Sequence, residues 1–257
     1  MQERDALRRG VLPQHIGVIM DGNGRWAQAR GMSRERGHRR GADNLRSIIE
    51  ECVHLGIANL SAFAFSTENW MRPPEEVRAL MTLMAEFAVS EAEELAERDV
   101  RVIPIGDLSS LPEGTRREVE ALADRTREGQ TLTLMMAVNY GGRADILRAV
   151  RQLASGAARG ELDPADIDDE HLRARLYTHP HPDPDLIIRT GGQWRLSNFF
   201  LYQAAYAEFY ATDVLWPDFD GRELRRALRC FQQRERRFGR LGAASDEDSD
   251  RGGTANE

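Results

Sequence analysis

The segment His15-Ile16-Gly17-Val18-Ile19-Met20, followed at once by Asp21-Gly22-Asn23-Gly24-Arg25-Trp26, decides how this 257-residue chain is read. A short apolar run closed by glycine-rich polar residues is the pattern of a strand buried on both faces that ends in a loop. In open α/β sheets ligands sit just beyond the carboxyl ends of the strands, and Asp21 stands at that place. Two glycines let the backbone turn tightly and present N–H groups to an anion, and Arg25 adds a fixed positive charge. An aspartate among anion-binding donors calls for a divalent cation, for which Mg²⁺ is the natural choice. Taken alone, DGNG is also what a turn capped by Asp21 and Asn23 looks like.

Outward from this segment the same alternation recurs. Apolar or β-branched runs at 60–66, 100–105, 131–138 and 186–189 predict further strands, and helical spacing at 39–55, 75–98 and 144–153 predicts the elements between them. Buried strands separated by helices imply a largely parallel sheet covered by helices. The stretch from Glu75 begins after Pro73 and Pro74 and carries Val77, Leu80, Met81, Met84, Phe87, Ala88, Ala92 and Leu95 as one apolar stripe. Such a stripe packs on a sheet, and its methionines also suit the wall of a cavity for a flexible apolar guest. The HPHPDPD segment at 179–185 reads as a rigid surface loop rather than a metal site, despite His179 and His181.

Composition narrows the chemistry. All 35 basic residues are arginine, so a Schiff-base lysine, pyridoxal-phosphate chemistry and a lysine-bearing P-loop are excluded. The net charge of −7 speaks against nucleic-acid binding. Cys52 and Cys230 are too few for a disulfide framework or a zinc site. The N-terminal residues lack the apolar core of a secretion signal, and no stretch approaches the ~20 apolar residues of a membrane span, so a cytoplasmic location is expected. We expect an N-terminal arm at 1–12, one catalytic domain at 13–242, and a disordered tail at 243–257, where five acids face the lone Arg251.

Three more segments carry polar chemistry. Arg34-Glu35-Arg36-Gly37-His38-Arg39-Arg40-Gly41 puts arginines and a histidine at a helix entry, as a wall of an anion pocket would need. Ser66-Thr67-Glu68-Asn69-Trp70-Met71-Arg72 gathers hydroxyls, an amide, a carboxylate, an indole and an arginine after a strand. Arg189-Thr190-Gly191-Gly192-Gln193-Trp194-Arg195-Leu196-Ser197 ends another strand with a pair of arginines. Three strand ends that supply arginine and glycine suggest a ligand with more than one phosphate, or two phosphate-bearing ligands.

In this order, DGNGRW, GHRRGA, FSTENWMRP, NYGGR at 139–143, RTGG with RLSNF, and YAEFY followed by DVLWPDF resemble the cis-prenyltransferases, especially bacterial undecaprenyl diphosphate synthases. The resemblance covers about residues 13–240. It implies an α/β fold with a mostly parallel six-stranded sheet flanked by helices, an apolar tunnel, and a homodimer. It also implies Mg²⁺-dependent condensation of isopentenyl diphosphate onto an allylic diphosphate. By the same resemblance Asp21 holds Mg²⁺, and Gly22, Asn23, Gly24, Arg25, Trp26, Arg34, His38 and Arg72 bind the allylic diphosphate. Ser66, Thr67, Glu68 and Trp70 belong to the substrate motif, in which Asn69 matches the residue commonly assigned as proton acceptor. A neutral amide is a poor base, and directing the proton to a phosphate oxygen is chemically easier. Arg189, Arg195, Leu196 and Ser197 match the isopentenyl diphosphate site, Glu208 matches a second metal-binding acid, and Arg237 with Gly239 matches a motif that completes a site across the dimer.

The chain departs from the family pattern at Gln193-Trp194, where relatives place a potential histidine ligand, and at Tyr202, where tryptophan is usual. The resemblance puts Ala64 along the tunnel and Leu132 near its far end, and the adaptable Met81, Leu83 and Met84 can line the opposite helix wall. A small Ala64 leaves the passage open, which implies a long product whose release involves peripheral membrane contact. A short-chain or branched prenyl diphosphate synthase, and a non-catalytic partner subunit of the same fold, are the alternatives. The intact Asp21 and arginine set argue against the last.

Overall fold

The computed structural model describes residues 2–234. Six strands, β1 (His15–Ile19), β2 (Asn59–Ser66), β3 (Val100–Ile105), β4 (Leu132–Tyr140), β5 (Leu186–Arg189) and β6 (Glu208–Ala211), form one sheet in the order β3-β4-β2-β1-β5-β6. Every neighbouring pair is parallel. The sheet is therefore covered on both faces, and β1 and β5 are buried throughout. From β1 the chain moves first toward β2 and later returns to lay β5 on the other side. The β1/β5 boundary is thus the topological switch point where such sheets bind ligands.

The helices are α1 (Gln2–Arg8), α2 (Asn23–Gln28), α3 (Arg34–Leu55), α4 (Pro74–Glu97), α5 (Glu113–Arg125), α6 (Gly142–Ala158), α7 (Asp169–Arg173) and α8 (Gly221–Gln232). Ser33 caps α3 by accepting from the Arg36 N–H, and Gly56 closes it in the left-handed conformation. Gly41 permits the close approach of α3 to α2, because a Cβ there would meet Asn23 Oδ1 at 2.4 Å. On α4 the buried residues are Val77, Met81, Met84, Phe87, Ala88, Glu91 and Leu95. One apolar cluster joins α3, α4, α5 and α8 to one face of the sheet, and a second surrounds Phe63, Tyr140, Phe199 and Phe200.

The first residues fold onto the body. Leu7 is buried, Arg4 donates to Glu51, and Glu3 accepts from Arg225 at 2.6 Å. The 179–185 loop is tied to the start of β1, where Asp185 accepts from the backbone N–H groups of Gln14 and His15.

Candidate active site

The main chain of Asp21 is fixed before its side chain is considered. Its carbonyl accepts from Thr190 Oγ1 at 2.7 Å and from the Trp216 N–H at 3.1 Å. Gly22 follows with φ 114°, a conformation that lets the chain turn directly into α2. The Asp21 carboxylate then accepts from Arg25 Nη2 at 3.2 Å and from Arg189 Nη2 at 3.0 Å. Arg25 also donates to the Gly191 carbonyl at 2.8 Å, so α2 is locked to the end of β5. Arg189, with only 5% of its side chain exposed, further donates to the Arg195 carbonyl and to Ser197 Oγ at 2.6 Å. Its Nε is buried without a partner, a donor left over for a ligand.

A second carboxylate, Glu76 in the first turn of α4, organises the neighbouring wall. It accepts from Arg34 at 3.1 and 3.2 Å and from Arg72 at 3.1 Å, and lies 3.4 Å from His38 Nε2. Burial raises its carboxyl, but Arg34, Arg72 and His38 outweigh burial and hold it below the usual carboxylate range. Burial, with help from Arg72 and Arg34, lowers the His38 imidazole despite Glu76, so the ring is neutral near pH 7. Sequence reasoning assigned Arg34, His38 and Arg72 to one anion site and missed the glutamate among them. The available signal was an acid at the start of a helix, which ordinarily means only a favourable dipole contact.

Asp21, Ser66, Glu68, Asn69, Arg72, Arg189 and Ser197, together with Phe63 and Asn198, line a cleft of about 540 Å³, while Arg34, His38 and Glu76 line a separate pocket of about 360 Å³. Asn198 was not foreseen. Its amide donates to Glu68 at 2.7 Å, its side-chain oxygen accepts from the Arg143 N–H, and its carbonyl accepts from the Gly142 N–H. Ser197, Asn198 and Phe200 all have left-handed backbones, at φ 49°, 64° and 45°, and this strained corner delivers Ser197 to Arg189. Burial raises the Glu68 carboxyl, and hydrogen bonds from Asn198, Ser66 and Thr67 more than reverse the shift. Asn69 Oδ1 accepts from the Ser66 N–H at 3.1 Å in a reciprocal capping box. That bond commits the amide oxygen to shaping the turn and leaves Nδ2 to donate.

The remaining predicted residues do not line this cleft. Trp26 Nε1 donates to Asp218 at 2.7 Å beneath the Arg30 guanidinium, and Trp70 Nε1 donates to Asn139 at 2.8 Å. The Arg195 guanidinium donates to Gln193 at 2.6 Å, and Trp194 is 76% exposed. Thr67 faces a separate polar pocket with Asp107 and Arg148. Gly24 packs under Arg34, and Leu196 packs against the second apolar cluster.

Behind the cleft a narrow apolar cavity of about 90 Å³ runs between α3, α4 and the sheet. Ala64, Leu83 and Met84 line it with Leu80, Phe87, Ala42 and Leu45, while Asn23 and His38 stand at its polar end. Asn23 Oδ1 is buried without a hydrogen-bond partner, and His38 Nε2 has only the Glu76 carboxylate, 3.4 Å away. Met81 and Leu132, foreseen with this group, are buried in the apolar core and do not line the cavity. On α4 the cavity face is 80, 83, 84 and 87, one step round from the stripe that holds Met81. Near Ala64 the β2–β4 register shifts, between Phe63 and Phe65 and again between Phe65 and Ser66.

Among the described residues no three His, Cys, Asp or Glu side chains gather as a metal cage. Asp21 fits the other way of holding Mg²⁺, through one carboxylate with substrate phosphates completing the shell. It lies 30% exposed, with Arg25 and Arg189 on its carboxylate. Glu208 opens β6 level with Leu186 and hence with Ile16, at the amino end of the sheet, and it accepts from Arg234 at 2.6 Å. The chain does not bring it to Asp21. Arg237 and Gly239 lie outside the described residues.

Comparison with known proteins identifies the family. Residues 19–239 match the family model described as "Putative undecaprenyl diphosphate synthase". The isoprenyl transferase of Clostridium perfringens is 46% identical over 237 residues, which cover 92% of this chain and 94% of that protein. The crystal structure of lavandulyl diphosphate synthase from Lavandula x intermedia, in complex with dimethylallyl diphosphate, superposes with a TM-score of 0.87 at 38% identity, covering 89% of this chain and 98% of that one. A probable undecaprenyl diphosphate synthase from Campylobacter jejuni superposes with a TM-score of 0.74 at 33% identity, covering 88% and 98%.

Proposed function

The chain belongs to the undecaprenyl diphosphate synthase family of prenyltransferases, and we propose that it condenses isopentenyl diphosphate with an allylic diphosphate, such as farnesyl or geranyl diphosphate, into a long cis-polyprenyl diphosphate that serves as a lipid-carrier precursor for cell-wall synthesis. The observation that carries this reading is the adjacency at Met20, which lines both the arginine-bearing cleft and an apolar cavity between two helices and a sheet. One part suits diphosphates, the other a growing hydrocarbon.

In this reading Arg34, Arg72 and His38 hold the allylic diphosphate, and Arg189 with Ser197 and Arg195 holds isopentenyl diphosphate. When bound at Asp21, Mg²⁺ supplies positive charge to the diphosphate that leaves. Arg25 and Arg72 add preorganised donors where negative charge develops as the allylic C–O bond breaks. The double bond of isopentenyl diphosphate then forms the new C–C bond, and a proton departs from the adjacent carbon to a phosphate oxygen. Asn69, with its oxygen fixed by the Ser66 N–H, orients that transfer and does not act as the base. The apolar cavity takes up the lengthening chain. Among the described residues no helix is long and apolar enough to cross a membrane. We read the enzyme as a cytoplasmic homodimer that meets the membrane peripherally on release.

The likeness to lavandulyl diphosphate synthase supports a second reading, a short or branched product. Incubation with labelled isopentenyl diphosphate, farnesyl diphosphate and Mg²⁺, followed by chromatography of the dephosphorylated products, separates the two. A ladder of long cis-polyprenols supports the proposal. A single product of two joined units supports the second reading, and no product in either case overturns both.

A further inference from the structure

The buried stripe of α4 contains one charged residue. Glu91 is 1% exposed, in step with Val77, Met81, Met84, Ala88 and Leu95 at spacings of three and four. Arg46 of α3 reaches it, with Nε 2.6 Å from Oε2 and Nη2 on Oε1, and the Ser90 hydroxyl donates to Oε1 at 3.0 Å. The Arg46 side chain keeps 40% of its surface in solvent, so the pair is buried from the carboxylate side only.

The position of this pair gives it a role. Helices α3 and α4 run side by side away from the cleft, as their cross-links record in order: Arg34–Glu76, Arg39–Glu86, Arg46–Glu91, then Glu50–Arg98. The apolar cavity occupies the seam before the third of these. Phe87 lines it, and Glu91 is one turn beyond; Ala42 lines it, and Arg46 is one turn beyond. The cavity, about 90 Å³ and half-open, is small beside a chain of many isoprene units, so a lengthening chain has to part the seam to be housed. Parting apolar side chains exchanges one hydrocarbon contact for another. At Arg46–Glu91 the same advance strips a buried carboxylate of its partner and presses it against hydrocarbon, which is strongly unfavourable.

Building on the prenyl-transfer reading, we propose that the Arg46–Glu91 pair is the stop that sets product length: the chain fills the α3–α4 seam up to this pair and no farther. The pair lies away from the anion cleft, so it acts on length and not on the first condensation.

The test compares product ladders from labelled isopentenyl diphosphate and farnesyl diphosphate for the full chain and two variants. Arg46→Met with Glu91→Ala removes both charges and shortens the α4 side chain. Its ladder is expected to extend by at least one isoprene unit, about the room of one helical turn of ~5.4 Å. Glu91→Gln keeps the size and packing but not the charge, and is expected to shift the ladder in the same direction by less. First-addition rates should match the unaltered protein. If the unaltered protein elongates while both variants return its ladder unchanged, the stop is overturned and prenyl transfer stands. If the unaltered protein yields no extended product, the prenyl-transfer reading fails and takes the stop with it.

Discussion

The two ends of β1 are built from opposite materials. At the amino end His15 is fully buried, with Nδ1 2.7 Å from the Pro182 carbonyl and Nε2 2.7 Å from Ser61 Oγ. A carbonyl only accepts, so Nδ1 carries the proton, and Nε2 of the neutral ring accepts from the serine. The ring itself carries no charge and both of its nitrogens are used. Just past the carboxyl end, Asp21 is partly exposed among arginines, with the Nε of Arg189 and the Oδ1 of Asn23 left unpartnered. A satisfied end holds the sheet together, and an unsatisfied end is prepared for something that is not yet bound. Substitutions at the two ends should therefore be read by different instruments.

The largest effect belongs to Asp21. Alanine there would strand the buried Arg189 guanidinium, so Asp21→Asn is the cleaner change, since the amide still offers Arg189 an acceptor. We expect kcat/KM to fall by about a hundredfold or more, as when a charge-stabilising group is lost from a transition state, while Tm stays near that of the unaltered protein. A large drop in Tm with modest loss of activity would make the carboxyl end structural and erase the contrast.

His15 should give the converse. Burial drives its imidazole down from an ordinary 6.5 to about 4, against the opposing hydrogen bond to Pro182. Between those pH values the unfolded chain takes up a proton that the folded chain refuses. Stability is thus full above about pH 6.5, declines as the pH falls, and by pH 4 has lost about 3 kcal/mol from this group. Urea unfolding from pH 7 to pH 4 should show that acid slope, and His15→Gln should flatten it with little change in kcat at pH 7. An equal slope in the variant would mean that other groups drive acid unfolding.

How far the sequence revealed each end follows from the same contrast. Short apolar runs with polar exits disclose β1 to β5, because strands buried on both faces cannot avoid being apolar. β6 is different: Glu208-Phe209-Tyr210-Ala211 is an edge strand, half-buried throughout, and only the family resemblance anticipated a sixth strand. Asp21, Arg189 and Ser197 were legible because strand ends in this fold converge on one cleft. Glu76 and Asn198 were not, since each matters through partners more than 40 residues away, Arg34 for the one and Glu68 for the other. Met81 shows the limit of helical spacing, which identifies an apolar helix but not which of two adjacent apolar faces meets the cavity.

A smaller and more selective effect divides the arginines of the carboxyl end between two substrates. Arg189→Ala should mainly raise KM for isopentenyl diphosphate, and Arg34→Ala mainly KM for the allylic substrate. Each charge-assisted contact is worth ~1.5 to 3 kcal/mol, roughly ten- to a hundredfold. Arg34, with 48% of its side chain exposed, belongs at the low end of that range. Initial rates with each substrate varied in turn decide the matter. Equal changes for both substrates in both variants would merge the two sites into one.

The smallest expected effect runs in the opposite direction. Glu76 occupies Arg34 and Arg72, the cations that the allylic diphosphate needs, and it is held ionised by them. An incoming diphosphate must displace this carboxylate or share its partners, so part of its binding energy is spent in competition. Glu76→Gln keeps the shape and a carbonyl acceptor but removes the competing charge. These arginines are a third to a half exposed, and such ion pairs are worth only about 0.2 to 1 kcal/mol, so the gain is modest. Calorimetry with inorganic pyrophosphate at low salt should show binding tightened by roughly two- to fivefold, with the difference shrinking as salt is raised. Weaker binding in the variant would show that Glu76 sets the arginines in place for the diphosphate instead of standing in for it.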